Sequence, residues 1–517
     1  MTRYGFVIDQ TTCIGCHACT VACKTEHGVA LGVNRTWVKY VEKGTWPDTK
    51  RFFSVMRCNH CTDAPCVDIC PTTALFRRPD GIVDFDTSRC IGCKSCLQAC
   101  PYDALYIDPG DQTAQKCNYC VHRVEVGLEP ACVVVCPEQA IIAGDLDDPA
   151  SRIAGIVATR QTSQRSVEQG TRPNLWYLGA EASNLDPLGA VDPGDGGLWR
   201  DPEPSYLGVD LSPDAAAAGP GVVYEHGGLA RVVYTTDHPM PWGWRVSSYF
   251  LTKGIAAGLA IATAVALLGG AGTSSSLARH GIPAVAAVFL AATGALLVAD
   301  LKRPERFVYL LTKGRWGSWL VKGAWILAGY GLLLVVWLVL GVVGSEVGVA
   351  VVAWLAAVIG LAVAGYTAFL FGQAEGRDLW QSPRLLWHMV AAAVAVGGGA
   401  GLVATLGFDA EGFEGPFALC LVAGCGAVGV VALTDLAARH PTRNAAEAAH
   451  HLMEGRYALE WWLGWMVLGA AVPIVLGIVT LAGGSAVYGA IGGAAAAAGV
   501  WCADDAFVRA GQSVPLS

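Results

Sequence analysis

Sixteen of the chain's 19 cysteines lie between Cys13 and Cys136, in four groups of four. The first group is Cys13, Cys16, Cys19 and Cys23, and the second is Cys58, Cys61, Cys66 and Cys70. The third is Cys90, Cys93, Cys96 and Cys100, and the fourth is Cys117, Cys120, Cys132 and Cys136. The third reads C-I-G-C-K-S-C-L-Q-A-C-P, the cubane-binding spacing C-x2-C-x2-C-x3-C-P. Three close thiolates grip one cluster, and the fourth, set before a proline, is projected towards a neighbouring one. Sixteen thiolates therefore predict four [4Fe–4S] clusters with none left over. The plainer alternatives are disulfides and structural zinc. Tandem C-x2-C runs do not favour disulfide pairing, and zinc sites rarely add a third close cysteine and a trailing Cys-Pro. The chemistry expected is electron transfer along a row of clusters.

Short alternating stretches flank these groups and are predicted strands: Tyr4–Asp9, Gly81–Asp86, Ala104–Asp108 and Ala140–Asp145. Strand, cysteine loop, Cys-Pro and strand again make two ferredoxin-like pairs, an α+β soluble domain over residues 1–180. Residues 181–240 shift to Gly, Pro, Asp and Ala, as in V-D-P-G-D-G-G at Val191–Gly197, and are predicted to be an extended linker. Just before it, G-T-R-P-N-L-W-Y-L-G at Gly170–Gly179 carries Trp176 and Tyr177 as anchors.

The chain has 53% hydrophobic and 15% charged residues, with a mean hydropathy of +0.43. That average joins a polar first half to a second half of long Ala/Leu/Val/Gly runs. From residue 246 onward eight stretches are long enough to cross a bilayer, which takes about 20 helical residues. They are 246–270, 281–300, 319–343, 347–371, 385–407, 416–436, 457–482 and 484–503. Residues 241–517 are thus predicted to be an all-α membrane domain of eight transmembrane helices, in contact with membrane lipid. Eight crossings return the chain to its starting side. Connections on that side carry Lys302, Arg303, Arg306, Lys313 and Arg315, whereas the opposite connections carry Arg279 and otherwise acids such as Glu346, Asp409, Glu411 and Glu414. The positive-inside rule makes the side bearing the iron–sulfur domain cytoplasmic. The amino terminus, M-T-R-Y-G-F-V-I-D, has neither an apolar core nor a twin-arginine pair, which agrees with that placement. A net charge of −8 without a basic stripe argues against nucleic acid.

The membrane half offers candidates for quinone chemistry, which needs an apolar slot and a few polar groups to bond carbonyls and pass protons. His238, Trp242 and Trp244 precede the first predicted helix, and Tyr249 and Lys253 lie on its first turns. Asp300, Arg303 and Glu305 close the second, Tyr366 lies near the end of the fourth and Asp435 ends the sixth. Interfacial aromatic belts and positive-inside arginines are the plainer readings of several of these. Only His388 among the histidines falls inside a predicted span, so no haem is expected. No carboxylate falls deep in a predicted span, so no proton wire is visible. Cys420, Cys425 and Cys502 lack a ligand pattern and read as small buried hydrophobes.

Residues 1–180 resemble the four-cluster iron–sulfur subunit of dimethyl sulfoxide reductase, polysulfide reductase and related complexes. The motifs carrying this are Cys13–Cys23, C-N-H-C-T-D-A-P-C-V-D-I-C-P at Cys58–Pro71, Cys90–Pro101, the wide gap between K-C-N-Y-C and A-C-V-V-V-C-P, and G-T-R-P-N-L-W-Y-L. Residues 241–517 resemble the NrfD/polysulfide-reductase membrane family through S-Y-F-L-T-K-G-I-A-A-G (Ser248–Gly258), L-L-V-A-D-L-K-R-P-E-R-F (Leu296–Phe307) and A-G-Q-S-V-P-L-S (Ala510–Ser517). The resemblance implies cluster sets of Cys13, Cys16, Cys19 with Cys136; Cys117, Cys120, Cys132 with Cys23; Cys58, Cys61, Cys66 with Cys100; and Cys90, Cys93, Cys96 with Cys70. It also implies two four-helix bundles holding a menaquinone or other quinone near the iron–sulfur face, with Tyr366 and His238 at the family's quinone-contacting positions. Two departures stand out. The two subunits are fused here, and residues 181–240 match neither family.

With no substrate-converting site in view, the chain is expected to be the electron-transfer and quinone-binding membrane subunit of an oxidoreductase complex. It would connect a catalytic molybdopterin-type subunit on a separate chain to the quinone pool. A hydrogenase or multihaem cytochrome partner, or a passive anchor without quinone chemistry, are the competing expectations.

Overall fold

A computed structural model describes residues 2–44, 47–191, 230–236 and 240–517. The chain divides into two units, Met1–Pro239 with Pro515–Ser517, and Met240–Val514.

In the first unit, β1 (Tyr4–Asp9), with Phe6, Val7 and Ile8 fully buried, is the central strand. It pairs antiparallel with β8 (Ile141–Asp145) and parallel with β10 (Leu175–Leu178), and β9 (Thr162–Ser163) completes the order β8-β1-β10-β9. The anchor expected at Trp176 and Tyr177 is thus a strand of this sheet, with Tyr177 fully buried. A second sheet is built on the long hairpin of β2 (Thr36–Lys43) and β3 (Lys50–Arg57). Two small hairpins flank the third cysteine group: β4 (Leu75–Arg77) with β5 (Val83–Phe85), and β6 (Leu105–Ile107) with β7 (Ala114–Lys116). One helix, α1 (Ala18–His27), carries Cys19 and Cys23.

The ends of the expected linker are folded. Ala182–Leu185 is a helical turn, and β11 (Ala230–Tyr234) pairs antiparallel with β2, while Val191 bridges Arg231. A-R-V-V-Y is β-prone, and the distant strand β2 supplies the pairing edge and the Val41 side chain against which Ala230 and Val232 are buried. Residues 192–229 of the stretch lie outside the described residues.

The second unit has eight helices long and apolar enough to cross a membrane. They are α2 (Trp244–Leu268), α3 (Leu277–Asp300), α4 (Trp319–Val343), α5 (Glu346–Gly372), α6 (Leu385–Thr405), α7 (Glu414–Asp435), α9 (Glu460–Leu481) and α10 (Ala486–Ser513). An amphipathic helix, α8 (Arg443–Met453), intervenes, with Ala445, Ala448, Ala449 and Leu452 buried on one face. Helices α2 to α5 form one ring of four, and α6, α7, α9 and α10 a second. The rings share a seam between α2 and α6, where a Cβ on Gly258 would stand 1.8 Å from the Ala393 carbonyl oxygen. Backbones approach that closely only where side chains are absent, the usual device for packing helices in lipid. Outward faces carry exposed Leu332, Val335, Val339, Val342 and Val358. Exposed Trp244, Trp316, Trp387 and Trp462 lie together at the end where α2 begins, as an interfacial belt would.

One expectation is corrected. The eighth helix does not stop near residue 503 but runs to Ser513, carrying Asp504 and Asp505 inside it, each only 7% exposed. A hydropathy reading ends a span at paired charges. Helix α2 supplies Ser247 to bond Asp505 and brings Lys253 within electrostatic reach of Asp504.

Candidate functional site

The cysteine loops are shaped by left-handed residues. Gly15 (φ 70°) and Gly92 (φ 68°) sit between the first two cysteines of their C-I-G-C turns, followed by His17 (φ 59°) and Lys94 (φ 63°). This winding turns backbone N–H groups towards sulfur. Gly92 N and Ala114 N donate to Cys90 Sγ at 3.4 Å each, Ala140 N to Cys136 Sγ at 3.3 Å, and Leu75 N to Cys70 Sγ at 3.5 Å. Donors of this kind stabilise thiolate charge.

The thiols of distant groups meet. One cavity is bounded by Cys13, Cys16, Cys19 and Cys136, and another by Cys23, Cys117, Cys120 and Cys132. Cys66 faces Cys100, Cys58 and Cys61, and Cys96 faces Cys93, Cys90 and Cys70. All these cysteines are free thiols. Among the described residues no three or more His, Cys, Asp or Glu side chains converge tightly enough for a single metal ion. Thiols that neither pair with one another nor close on one ion, yet bound a shared cavity, fit a cubane and not zinc. Burial pushes the Cys19 thiol up to about 11 and the Cys93 and Cys100 thiols up to about 12. Bare thiolates are therefore disfavoured there, and ligation by iron must displace the protons.

In the membrane unit the structure gathers Tyr249, Lys253 and Tyr366 where α2 begins and α5 ends. Lys253 is 2% exposed; its Nζ donates to Thr367 Oγ1 at 2.5 Å and to the Ala364 carbonyl at 3.1 Å, and lies 4.8 Å from the Tyr366 ring centroid. The Thr367 hydroxyl also lies within electrostatic reach of the Tyr249 and Tyr366 hydroxyls. Asp300, the last residue of α3, is within electrostatic reach of Tyr249. Arg303 lies beyond it on the connecting loop and pairs with Glu305 at 3.3 Å. His238 lies outside the described residues. Asp435 accepts hydrogen bonds from Arg384 Nη1 at 2.8 Å and Ser382 Oγ at 3.0 Å. Trp242 stacks on Trp380, and Gln512 clamps its backbone, accepting from Trp242 N at 3.0 Å and donating to its carbonyl at 2.8 Å. The A-G-Q-S-V-P motif thus fixes the entry to α2.

Sequence reasoning missed Thr367 and the two aspartates of α10. Asp505 accepts from Ser247 Oγ at 3.0 Å and pairs with Arg509 at 2.6 Å. Asp504 makes no hydrogen bond among the described residues, stands within electrostatic reach of Lys253, and lines a cleft enclosing about 1060 Å³ of partly open space. The cleft wall is largely apolar, with Phe250, Leu385, Met389, Trp461 and Phe507, and His388 shares it. Helix α8 closes one side through Ala445, Ala449 and Leu452. The signal for the aspartates was legible as a charged pair following an apolar run, but burial was not.

The family comparisons divide, like the fold, into an iron–sulfur part and a membrane part. A 4Fe-4S dicluster domain model matches residues 49–146, and the model for polysulphide reductase, NrfD, matches residues 232–515. The iron–sulfur part is 43% identical over 204 residues to the B component of tetrathionate reductase from Salmonella typhimurium, covering 38% of this chain and 80% of that protein. It is 41% identical over 181 residues to the B component of polysulfide reductase from Wolinella succinogenes, covering 34% and 94%. The protein NrfC of Escherichia coli is 43% identical over 179 residues, covering 34% and 80%. Across more than half its length the chain belongs to the polysulphide reductase NrfD family, and an iron–sulfur electron-transfer module homologous to these reductase components is fused in front of it.

Proposed function

We propose that this chain carries electrons through four [4Fe–4S] clusters between a catalytic subunit and a membrane quinone, menaquinone or a relative of it. The four thiol sets described above would each hold one cluster, which supplies one-electron transfer when bound. Two electrons and two protons convert quinone to quinol, so the membrane site must manage protons as well as bind an apolar ring. The observation that carries this reading is Asp504. It is a buried carboxyl without a hydrogen bond among the described residues, lining a largely apolar cleft within electrostatic reach of the buried Lys253. Ionisable groups at membrane depth are costly and mark functional sites. Phe250, Trp461 and Phe507 give the cleft aromatic faces against which a quinone ring stacks. Lys253, which lies against Thr367 and the Tyr366 ring, is outside the cleft lining but within electrostatic reach of Asp504.

The catalytic partner is a separate molybdopterin-type subunit, a reading that rests on the named complexes to which the relatives belong. The iron–sulfur unit is cytoplasmic, as the basic connections between α3 and α4 support. The test is stopped-flow reoxidation of the dithionite-reduced protein by a short-chain quinone. Asp504→Asn and Lys253→Met are expected to slow it, with Asp435→Asn, on the same cleft wall but already held by Arg384 and Ser382, as the comparison. Reoxidation at the unaltered rate in both variants sinks the quinone assignment. Molybdenum or tungsten in the complex purified in mild detergent supports the partner, and nickel or additional haem overturns it.

A further inference from the structure

Arg57 ends β3, one residue before Cys58, and its side chain is 1% exposed. Its Nη1 donates to Cys132 Sγ at 3.1 Å, and its guanidinium lies 4.6 Å from the Phe6 ring centroid. Its Nε and Nη2 are buried and have no hydrogen-bond partner among the described residues. No carboxylate pairs with it among those residues. The groups within electrostatic reach of it include the sulfurs of Cys132, Cys117, Cys19 and Cys23 and the buried His60 ring, which burial holds well below its usual pKa and hence neutral. The buried Lys116 is a useful contrast. Its ammonium is satisfied by the carbonyls of Val83 and Cys117 (2.8 Å for the latter), so it needs no anion.

A guanidinium cannot shed its proton, and burying it unpaired is expensive. Among the described residues the groups it meets that become anionic on cluster binding are the sulfurs of Cys132, Cys117, Cys19 and Cys23. We infer that Arg57 is an electrostatic tuning residue, which raises the reduction potential of the cluster held by Cys23, Cys117, Cys120 and Cys132. Each electron entering that cluster makes it one charge more negative, and no proton or other group need move for the electron count to balance. A fixed cation hydrogen-bonded to a ligand sulfur favours the more negative state, as hydrogen bonds to sulfur and nearby charge do in general. The position of Arg57 adds a second role. Covalent bonds join it to Cys58 of another thiol set and one hydrogen bond joins it to Cys132, so the two ferredoxin-like pairs meet at this residue.

The test is a redox titration of the full-length, cluster-loaded protein followed by electron paramagnetic resonance. In Arg57→Gln one signal should shift to lower potential by about tenfold in its reduction equilibrium, or ~59 mV for one electron. Arg57→Lys, which keeps the charge, should recover most of that shift. Unchanged midpoints with full iron content overturn the inference, and so does an equal shift of every cluster. If Arg57→Gln fails to load iron, wild-type protein carrying arginine labelled with heavy nitrogen decides the matter. A nitrogen hyperfine coupling at one reduced cluster is expected, and its absence overturns the assignment.

Discussion

Lys253 on α2 and Asp504 on α10 lie at opposite ends of the membrane unit's sequence, yet both are buried and within electrostatic reach of each other. Each alone is a liability in an apolar interior. Removing one partner of a buried pair typically costs about 3–5 kcal/mol, more than removing both. Lys253→Met should therefore destabilise the membrane unit more than the double variant Lys253→Met/Asp504→Asn. Thermal unfolding in detergent checks this, and equal losses in the two would show that the charges do not interact.

Function is expected to fail differently from stability. General acid–base groups contribute about 100-fold or more to a proton-coupled step. Asp504→Asn should slow quinone-dependent cluster reoxidation by about that factor, while reduction of the clusters by dithionite proceeds as before. Asp435, already held by Arg384 and Ser382, should tolerate the same change with a few-fold effect.

The seam between the two helix rings predicts a sharp steric asymmetry. Gly258→Val would drive a Cβ into the Ala393 carbonyl, and the loss should exceed the ~1–3 kcal/mol common for overpacking. Gly329, whose added Cβ would meet nothing within 4 Å, should accept alanine. Yield and monodispersity on size exclusion separate the two variants.

Cluster removal should act on one unit only. Ligand sets assembled from distant groups couple metal binding to folding. Stripping iron with a strong chelator is expected to expose residues 2–191 to protease while the helices of the second unit stay protected. Cleavage of both units at one rate would contradict this.

Sidedness has a direct readout. A single cysteine placed at Lys313, on the connection between α3 and α4, should react with an impermeant maleimide in inverted vesicles and stay silent in intact spheroplasts. The opposite pattern would place the iron–sulfur unit outside the cytoplasm.

Much of this protein was legible in residue spacing because the relevant forces are local. Cubane ligation needs thiolates two and three residues apart, so Cys90, Cys93 and Cys96 declare themselves within one turn of chain. Bilayer crossing needs an uninterrupted apolar length, so the eight helices were visible, with boundaries drifting by a few residues. The exception is the carboxyl-terminal end of α10, where hydropathy falls at Asp504 and the helix continues. The strand β11 was hidden for a related reason: its partner β2 lies nearly two hundred residues earlier, in a contact that composition cannot report.

What the sequence alone determined is the inventory: the thiols, the spans, and a lysine and tyrosines near their ends. Only the tertiary structure decided which charges are buried and against what. Arg57 at the end of a strand and Asp504 at the end of an apolar helix both read locally as solvated charges. Each is buried because partners arrive from elsewhere in the chain, Cys132 for Arg57 and Lys253 for Asp504. The worth of a charge depends on the dielectric and the counter-charges around it, and those are properties of the folded interior.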